Sequence, residues 1–341
     1  MGAVGSKPNT SKISDTLTIC DNEIQVTISA CSMQGWRKYQ EDRYSIHMYR
    51  HPRLETDPVT FTLVLSLFDG HGGAHTAEAC KRLWGPYLLS RLHPELQDNC
   101  DVHTAAALYG NGEAIPPSLL SEDSLRATFL QFDNAVLRSK HHHTCGSTAT
   151  IAVLDSRLKK LVIAHIGDSR AVVFTPLRSP LFISRDHAPD CPIEAARISA
   201  AGLRVQQGRV LYRDVSSLNL SRSFGDKNYK GNANIDAAAQ AVTADPAYWD
   251  CSYSFLSAAD MPAPNEDARR DDQHACGVCL CRAPLATTAR RRRASTHRYP
   301  WHSRAATLQP AHALRVVTSD DGAEVLLCVD GGADGPTRVC P

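Results

Sequence analysis

The apolar run Phe61-Thr62-Leu63-Val64-Leu65-Ser66-Leu67 leads directly into Phe68-Asp69-Gly70-His71-Gly72-Gly73. A run of strand length that stops in a glycine-rich turn places a carboxylate and an imidazole at a strand-to-helix corner. Glycine at 70, 72 and 73 lets the backbone turn sharply and come close to a ligand. Asp69 offers hard oxygen of the kind Mg²⁺ or Mn²⁺ takes, and His71 can titrate near neutrality. An isolated Asp-Gly is an ordinary turn, so the meaning of this loop depends on its surroundings.

Working outward, the continuous apolar character of 61–67 predicts a deeply buried strand, whereas the alternation in Glu23–Ser29 predicts a half-buried one. Residues 74–83 read as a helix with Ala77, Cys80 and Trp84 on one face and Gly85-Pro86 as its stop. Residues 95–120 are polar and end in Gly110-Asn111-Gly112 and Pro116-Pro117, a surface loop. Ser121 then caps a helix carrying Leu125, Phe129, Phe132 and Val136 at helical spacing. The runs 148–154, 161–166 and 171–174 read as a β-meander. The connection 155–160 is too short for a parallel crossover, so the first pair is antiparallel. A further short helix, Glu194–Ala201, ends at Gly202. Composition and pattern alone give a mixed α/β chain with antiparallel sheet.

The bulk properties narrow the function. The chain has 341 residues, 43% of them apolar, enough for a buried core. A formal net charge of +1 lacks the basic excess that would replace counterions on nucleic acid. There is no apolar run of about 18 residues, the length of a membrane span. Twelve scattered cysteines without a secretory leader read as a reduced, cytoplasmic chain. Met1-Gly2-Ala3-Val4-Gly5-Ser6 fits an N-myristoylation signal on Gly2, with an unmodified tail as the alternative. A single acyl chain there would give only weak, reversible membrane association.

Further along lie Gly35-Trp36-Arg37-Lys38-Tyr39-Gln40-Glu41-Asp42, Cys145-Gly146-Ser147-Thr148-Ala149-Thr150 and Ala164-His165-Ile166-Gly167-Asp168-Ser169-Arg170. Ser184-Arg185-Asp186-His187, Glu194–Ile198 and Leu220-Ser221-Arg222-Ser223-Phe224-Gly225-Asp226 follow. In this order and spacing the segments resemble the metal-dependent type 2C protein serine/threonine phosphatases, the PPM-type family, over about residues 27–260. The resemblance implies an α+β fold, an α-β-β-α sandwich of two packed antiparallel sheets flanked by helices. A tail (1–22) would precede the phosphatase domain (23–330), and a second tail (331–341) would follow it.

Phosphate-ester hydrolysis needs charge neutralisation, a nucleophile made from water and a proton for a poor alkoxide leaving group, and two divalent ions can provide the first two. The resemblance makes Asp69 the carboxylate bridging two Mg²⁺ or Mn²⁺ ions and the Gly70 carbonyl a ligand to one of them. It makes Glu41 and Asp42 acids that hold metal-bound water, and Asp168 a ligand to a weaker third ion. Arg37 becomes the phosphate-binding guanidinium and His71 the general acid. Phosphoproteins would be the substrates, and the chain is expected to act as a monomer.

Each residue also has a plainer reading. Arg37 and Glu41 could be a solvated ion pair, and Asp168 a simple turn acid. His165 reads as a packed strand residue, His141-His142-His143 as a polar loop, and Asp186-His187 as a loop-fixing pair.

Beyond residue 260 the resemblance breaks. Ser254–Asp260 opens the family's next strand and metal site, in which Asp260 would be a ligand, but Met261-Pro262-Ala263-Pro264 replaces the glycine and helix. Residues 261–313 hold only seven large apolar side chains, and no lysine follows Lys230, so disorder is expected there. Ser319-Asp320-Asp321-Gly322 and the apolar residues after it resemble the family's closing turn and last strand, with Asp321 as the final metal ligand. An out-of-frame stretch between two in-frame ends would account for the break and the recovery. The cysteines at 276, 279 and 281 lack a second pair for zinc, and Arg290–Arg293 reads as a solvated basic run that leaves nuclear localisation open. The disrupted surroundings of Asp260 keep a second reading alive, a pseudophosphatase acting as a regulatory binding module.

Overall fold

The computed structural model describes residues 9–20, 25–35, 37–51, 60–93, 120–139, 142, 144–174, 180–213, 216–252, 313–318 and 324–328. The deciding segment forms β4 (Phe61–Phe68), with every residue buried. Its side chains alternate between two cores: Phe61, Leu63, Leu65 and Leu67 face one, and Val64 and Phe68 the other. A strand packed on both faces explains why its sequence is continuously apolar.

β4 lies in a five-stranded antiparallel sheet with β3 (Arg43–Arg50), β7 (Ala149–Asp155), β8 (Lys160–Ile166) and β15 (Ala247–Ser252), in the order β15-β8-β7-β4-β3. The second sheet has six strands. Its edge pair β1 (Asn9–Cys20) and β2 (Gln25–Gly35) is followed by β16 (Ala313–Thr318), β17 (Glu324–Cys328), β9 (Arg170–Phe174) and β10 (Pro180–Ile183). The β16–β17 hairpin, the last described segment, thus sits between the early strand β2 and the mid-chain strand β9. Val26, Ile28 and Ala30 of β2 meet the inward residues of β4 to form the core between the sheets.

Two helices cover the outer face of the five-stranded sheet, α1 (His75–Leu92) and α2 (Glu122–Val136). In α2, Leu125, Phe129, Phe132 and Val136 are all buried, and the Ser121 hydroxyl accepts the Ser124 N–H at 3.4 Å. Trp84 of α1 packs edge-on against Phe129 and Phe132, with ring centroids 4.5 and 5.1 Å away. A third helix, α3 (Pro192–Ala200), joins a small sheet of β11 (Arg204–Gln206), β12 (Arg209–Tyr212) and β13 (Ser216–Leu218) around Ile198, Val210 and Tyr229. The chain is therefore α+β, with antiparallel sheets packed face to face and helices alongside.

Several expectations are corrected. Gly85-Pro86 does not stop α1, which continues to Leu92 with Tyr87, Leu88 and Leu89 buried. Burial of that last turn outweighs the ~3 kcal/mol cost of an interior proline. Gly85 is there for packing, because a Cβ would lie 2.0 Å from His47 Cδ2. Strand β9 does not extend the meander but crosses to the six-stranded sheet. Of the expected tail 1–22, residues 9–20 form a paired edge strand with Ile13 62% exposed. The last strand expected after residue 319 is found at β17. Gly2, Asp260, Asp321 and nearly all of 261–313 lie outside the described residues.

Candidate metal centre

At the end of β4 the turn is clipped to the start of β7. Asp69 N–H donates to Thr148 Oγ1 at 3.0 Å, and Thr148 N–H donates to the Asp69 carbonyl at 2.9 Å. Three two-residue strands then build a small sheet beneath the loop: β5 (Gly70–His71), β6 (Gly146–Ser147) and β14 (Phe224–Gly225). Gly70 lies against the 37–42 segment so closely that a Cβ would be 2.5 Å from the Glu41 carbonyl oxygen. That segment is itself folded by Arg43, which donates to the carbonyls of Gln40 and Asp42 at 2.9 Å each and pairs with Glu78 of α1 at 2.6 Å. Gln34 holds its other end through the carbonyls of Arg37 and Lys38. Two segments about 30 residues apart are thereby pressed together at one corner of the sandwich.

The acids at this corner crowd one another. The Asp69 carboxyl is held well above the usual carboxylate range, first by burial, then by the charges of Asp42 and Asp168 and a hydrogen bond to Asp42, with Arg37 opposing. Such a group favours protonation unless positive charge is supplied. Oxygen donors that repel one another are the donor set of hard divalent cations, so these residues fit Mg²⁺ or Mn²⁺. Arg37 is exposed, and its charge acts on Asp69.

His71 is held by a partner to which sequence reasoning assigned no role. Its Nε2 lies 2.7 Å from Oδ2 of Asp226, a residue 97% shielded from solvent. The same carboxylate accepts the Ser223 hydroxyl at 2.6 Å. Burial pulls the His71 pKa down, but Asp226, then Asp168 and Glu41, outweigh it and leave the ring more basic than usual. Asp226 sits in the left-handed region, at φ 52°, after Gly225 at φ 79°. Gly146 makes the contact possible, since a Cβ there would be 2.0 Å from Asp226 Oδ2 and 2.6 Å from His71 Nε2. The only advance signal was the Phe-Gly-Asp turn itself. Lys230 and Asp133 form a buried 2.6 Å pair behind it, with Asp133 Oδ1 accepting the Gly225 N–H at 2.8 Å.

Asp168 is presented by a turn that packing fixes. Gly167, at φ 96°, donates to His187 Nδ1 at 3.1 Å and accepts the His187 N–H at 2.9 Å. His187 stacks on buried His165 with ring centroids 4.6 Å apart, and Asp186 takes a two-pronged bond from Arg170 at 2.8 Å. Burial, then the Arg222 charge, pushes the His165 pKa down to about 4, so the ring is neutral in the packed strand. Within the 141–143 run, His142 is not loop surface but is buried, 2.9 Å from Thr76 Oγ1.

The structure thus gathers Arg37, Glu41, Asp42, Asp69, Gly70, His71 and Asp168 at one corner, and adds Asp226. Asp260 and Asp321 fall among residues the structure does not describe.

The family model for protein phosphatase 2C matches residues 26–254. Protein phosphatase 2C homolog 3 of Schizosaccharomyces pombe is 35% identical over 72% of this chain and 51% of its own length. Protein phosphatase ppm-1.A of Caenorhabditis elegans is 29% identical over 72% of this chain and 48% of its own. Probable protein phosphatase 2C 6 of Paramecium tetraurelia is 31% identical over 76% and 78%. The chain spans about half the length of the first two relatives. A solved serine-threonine phosphatase 2C from Toxoplasma gondii matches at 21% identity and a TM-score of 0.49, over 71% of this chain and 78% of that one.

Proposed function

The chain belongs to the protein phosphatase 2C family, and from that membership we propose that it hydrolyses phosphoserine and phosphothreonine in proteins with divalent metal ions. The observation that carries the reading is the Asp69 carboxyl, crowded by Asp42 and Asp168 beside the Arg37 guanidinium. A pocket for a phosphate and its cations has this composition, acids for the ions and a planar donor fork for the anion.

Asp69, with the Gly70 carbonyl, Asp42, Glu41 and Asp168, would hold two Mg²⁺ or Mn²⁺ ions and a weaker third. The ions would supply charge neutralisation and acidify water for attack on phosphorus. Arg37 binds the phosphoryl oxygens and orients them. His71 holds a proton on its ring, ready for the serine or threonine alkoxide as it leaves, a job suited to a group with a pKa near the working pH. Asp226 keeps the ring turned and favours its charged form.

Release of phosphate from a phosphothreonine peptide with and without Mn²⁺ tests this directly. We expect turnover that needs the ion and stops with chelator; turnover indifferent to chelator would refute the mechanism. A second reading, a regulatory module without turnover, draws support from Met261-Pro262 following Asp260 where the family has a glycine. Absence of turnover at saturating Mn²⁺ together with retained phosphopeptide binding would favour it.

A further inference from the structure

We propose that the far end of the sandwich holds a second, structural metal site, a zinc centre formed by His51, His93 and Asp155. These residues come from three separate places: His51 just past β3, His93 just past α1, and Asp155 at the end of β7. One ring nitrogen from each histidine and one carboxylate oxygen all lie within 4.8 Å of one another. It is the one such group of three found among the described residues. Exposure is 8% for His51 and 3% for each of the other two.

Thr62 Oγ1 lies at the centre of the cluster, 3.1 Å from His51 Nε2, 3.1 Å from His93 Nε2 and 2.9 Å from Asp155 Oδ2. These are hydrogen-bond lengths, and the hydroxyl stands where an ion bonded at about 2.0–2.2 Å would sit, so zinc would displace it from between the three donors and take a water as its fourth ligand. Thr62 is itself fully buried at the start of β4, and Asp69 lies seven residues on, just past the other end of that strand. At about 3.4 Å per residue the two centres are separated by ~24 Å, so the cluster is no part of the catalytic corner.

The chemistry of the donors selects the ion. Two imidazoles and a carboxylate suit zinc, whereas Mg²⁺ prefers oxygen alone and keeps water around it. Outer support is present as well. The second Asp155 oxygen, Oδ1, accepts the Leu158 N–H at 2.8 Å, which fixes the carboxylate as metal-binding carboxylates usually are. The rings of His51 and His93 are wedged against Tyr49 and each other, with centroids 4.4 to 5.1 Å apart. Burial of all three ligands assigns the site to holding the ends of β3, β7 and α1 together, not to chemistry. On zinc binding, each ring offers Nε2 and keeps its proton on Nδ1, and Asp155 binds as the carboxylate.

The competing account is a hydrogen-bonded knot: Thr62 donates to Asp155 and accepts from both rings, and no ion enters. The full-length Asp69→Asn protein, which weakens the first centre, decides between them. It is equilibrated with Zn²⁺, desalted, and its metal content measured, and the Co²⁺ form is examined by visible absorption. We expect close to one equivalent retained, the intense visible bands of four-coordinate Co²⁺, and a rise in Tm on adding Zn²⁺. His51→Gln and His93→Gln should each lose the ion and the bands. Thr62→Val, which cuts the knot but spares the three ligands, should regain its lost Tm with Zn²⁺. Less than a tenth of an equivalent in the Asp69→Asn protein, or metal and bands unchanged by His51→Gln, would overturn the proposal. So would a Thr62→Val protein whose Tm ignores Zn²⁺.

Discussion

His71 Nε2 and Asp226 Oδ2 meet at 2.7 Å across 155 residues of sequence, over the bare Cα of Gly146. A histidine gripped this way has its orientation and its proton set by a carboxylate that is itself buried.

Replacing Asp226 with Asn should therefore hurt most where a leaving group needs a proton. Phosphopeptide turnover is expected to fall ~100-fold, while p-nitrophenyl phosphate, whose phenolate leaves unaided, falls far less. Steady-state kinetics on both substrates checks this, and equal losses would reduce Asp226 to a folding role.

Gly146→Ala drives a methyl group into the His71–Asp226 contact, 2.0 Å from Asp226 Oδ2. The backbone of β6 is paired on both sides and cannot yield easily. Loss of most activity with a destabilisation of about 1–3 kcal/mol is expected. Thermal unfolding and turnover of the purified variant measure both, and an alanine enzyme of normal stability and turnover would contradict the packing described.

Asp69→Asn should abolish turnover yet leave the metal-free fold no weaker, because it removes one of the carboxylates crowded together at the site. In chelator its Tm should equal or exceed that of the parent chain, and the rise in Tm produced by Mn²⁺ should largely vanish. Near-normal turnover in this variant would move the shared ligand elsewhere.

The pH dependence of stability should carry the mark of His165. Its ring titrates at about 4 in the folded chain against 6.5 unperturbed, mainly because burial disfavours the charge. Between those values the unfolded chain binds more protons. The stabilisation is complete above pH 6.5 and is lost as pH falls toward and through 4, amounting to about 2–3 kcal/mol by pH 4.5. His187, lowered in the same direction, adds to the effect. Urea unfolding of His165→Gln should show a correspondingly flatter fall between pH 7 and 4.5; an unaltered slope would mean that the ring titrates normally.

What the sequence disclosed was local. The unbroken apolar stretch 61–68, the four-three-four spacing of Leu125, Phe129, Phe132 and Val136, and the glycines after Asp69 each act through near neighbours, and each was readable. Pro86 misled because its cost is local while the burial of Tyr87 and Leu88 that offsets it is tertiary. β9 misled because two short strands with a tight link resemble a hairpin, whereas Gly167 and the Arg170–Asp186 bond turn the chain into the other sheet. Of the site, Asp69, Glu41 and Arg37 were legible through the resemblance. Asp226 stands in the Phe-Gly-Asp turn, where nothing nearby announces a partner so far upstream. The His51, His93 and Asp155 cluster has no spacing pattern at all, because strand and helix ends assemble it.

Placing the β16–β17 hairpin between β2 and β9 sets a timetable for the chain as the ribosome makes it. Translation delivers β1, β2 and β9 long before the residues that join them, so nascent chains carry two unsatisfied strand edges until the final segment emerges. A message cut short before codon 313 would yield a polypeptide containing Asp69, His71 and Asp226 but a split sheet, prone to stick to its own copies and to need a chaperone's company.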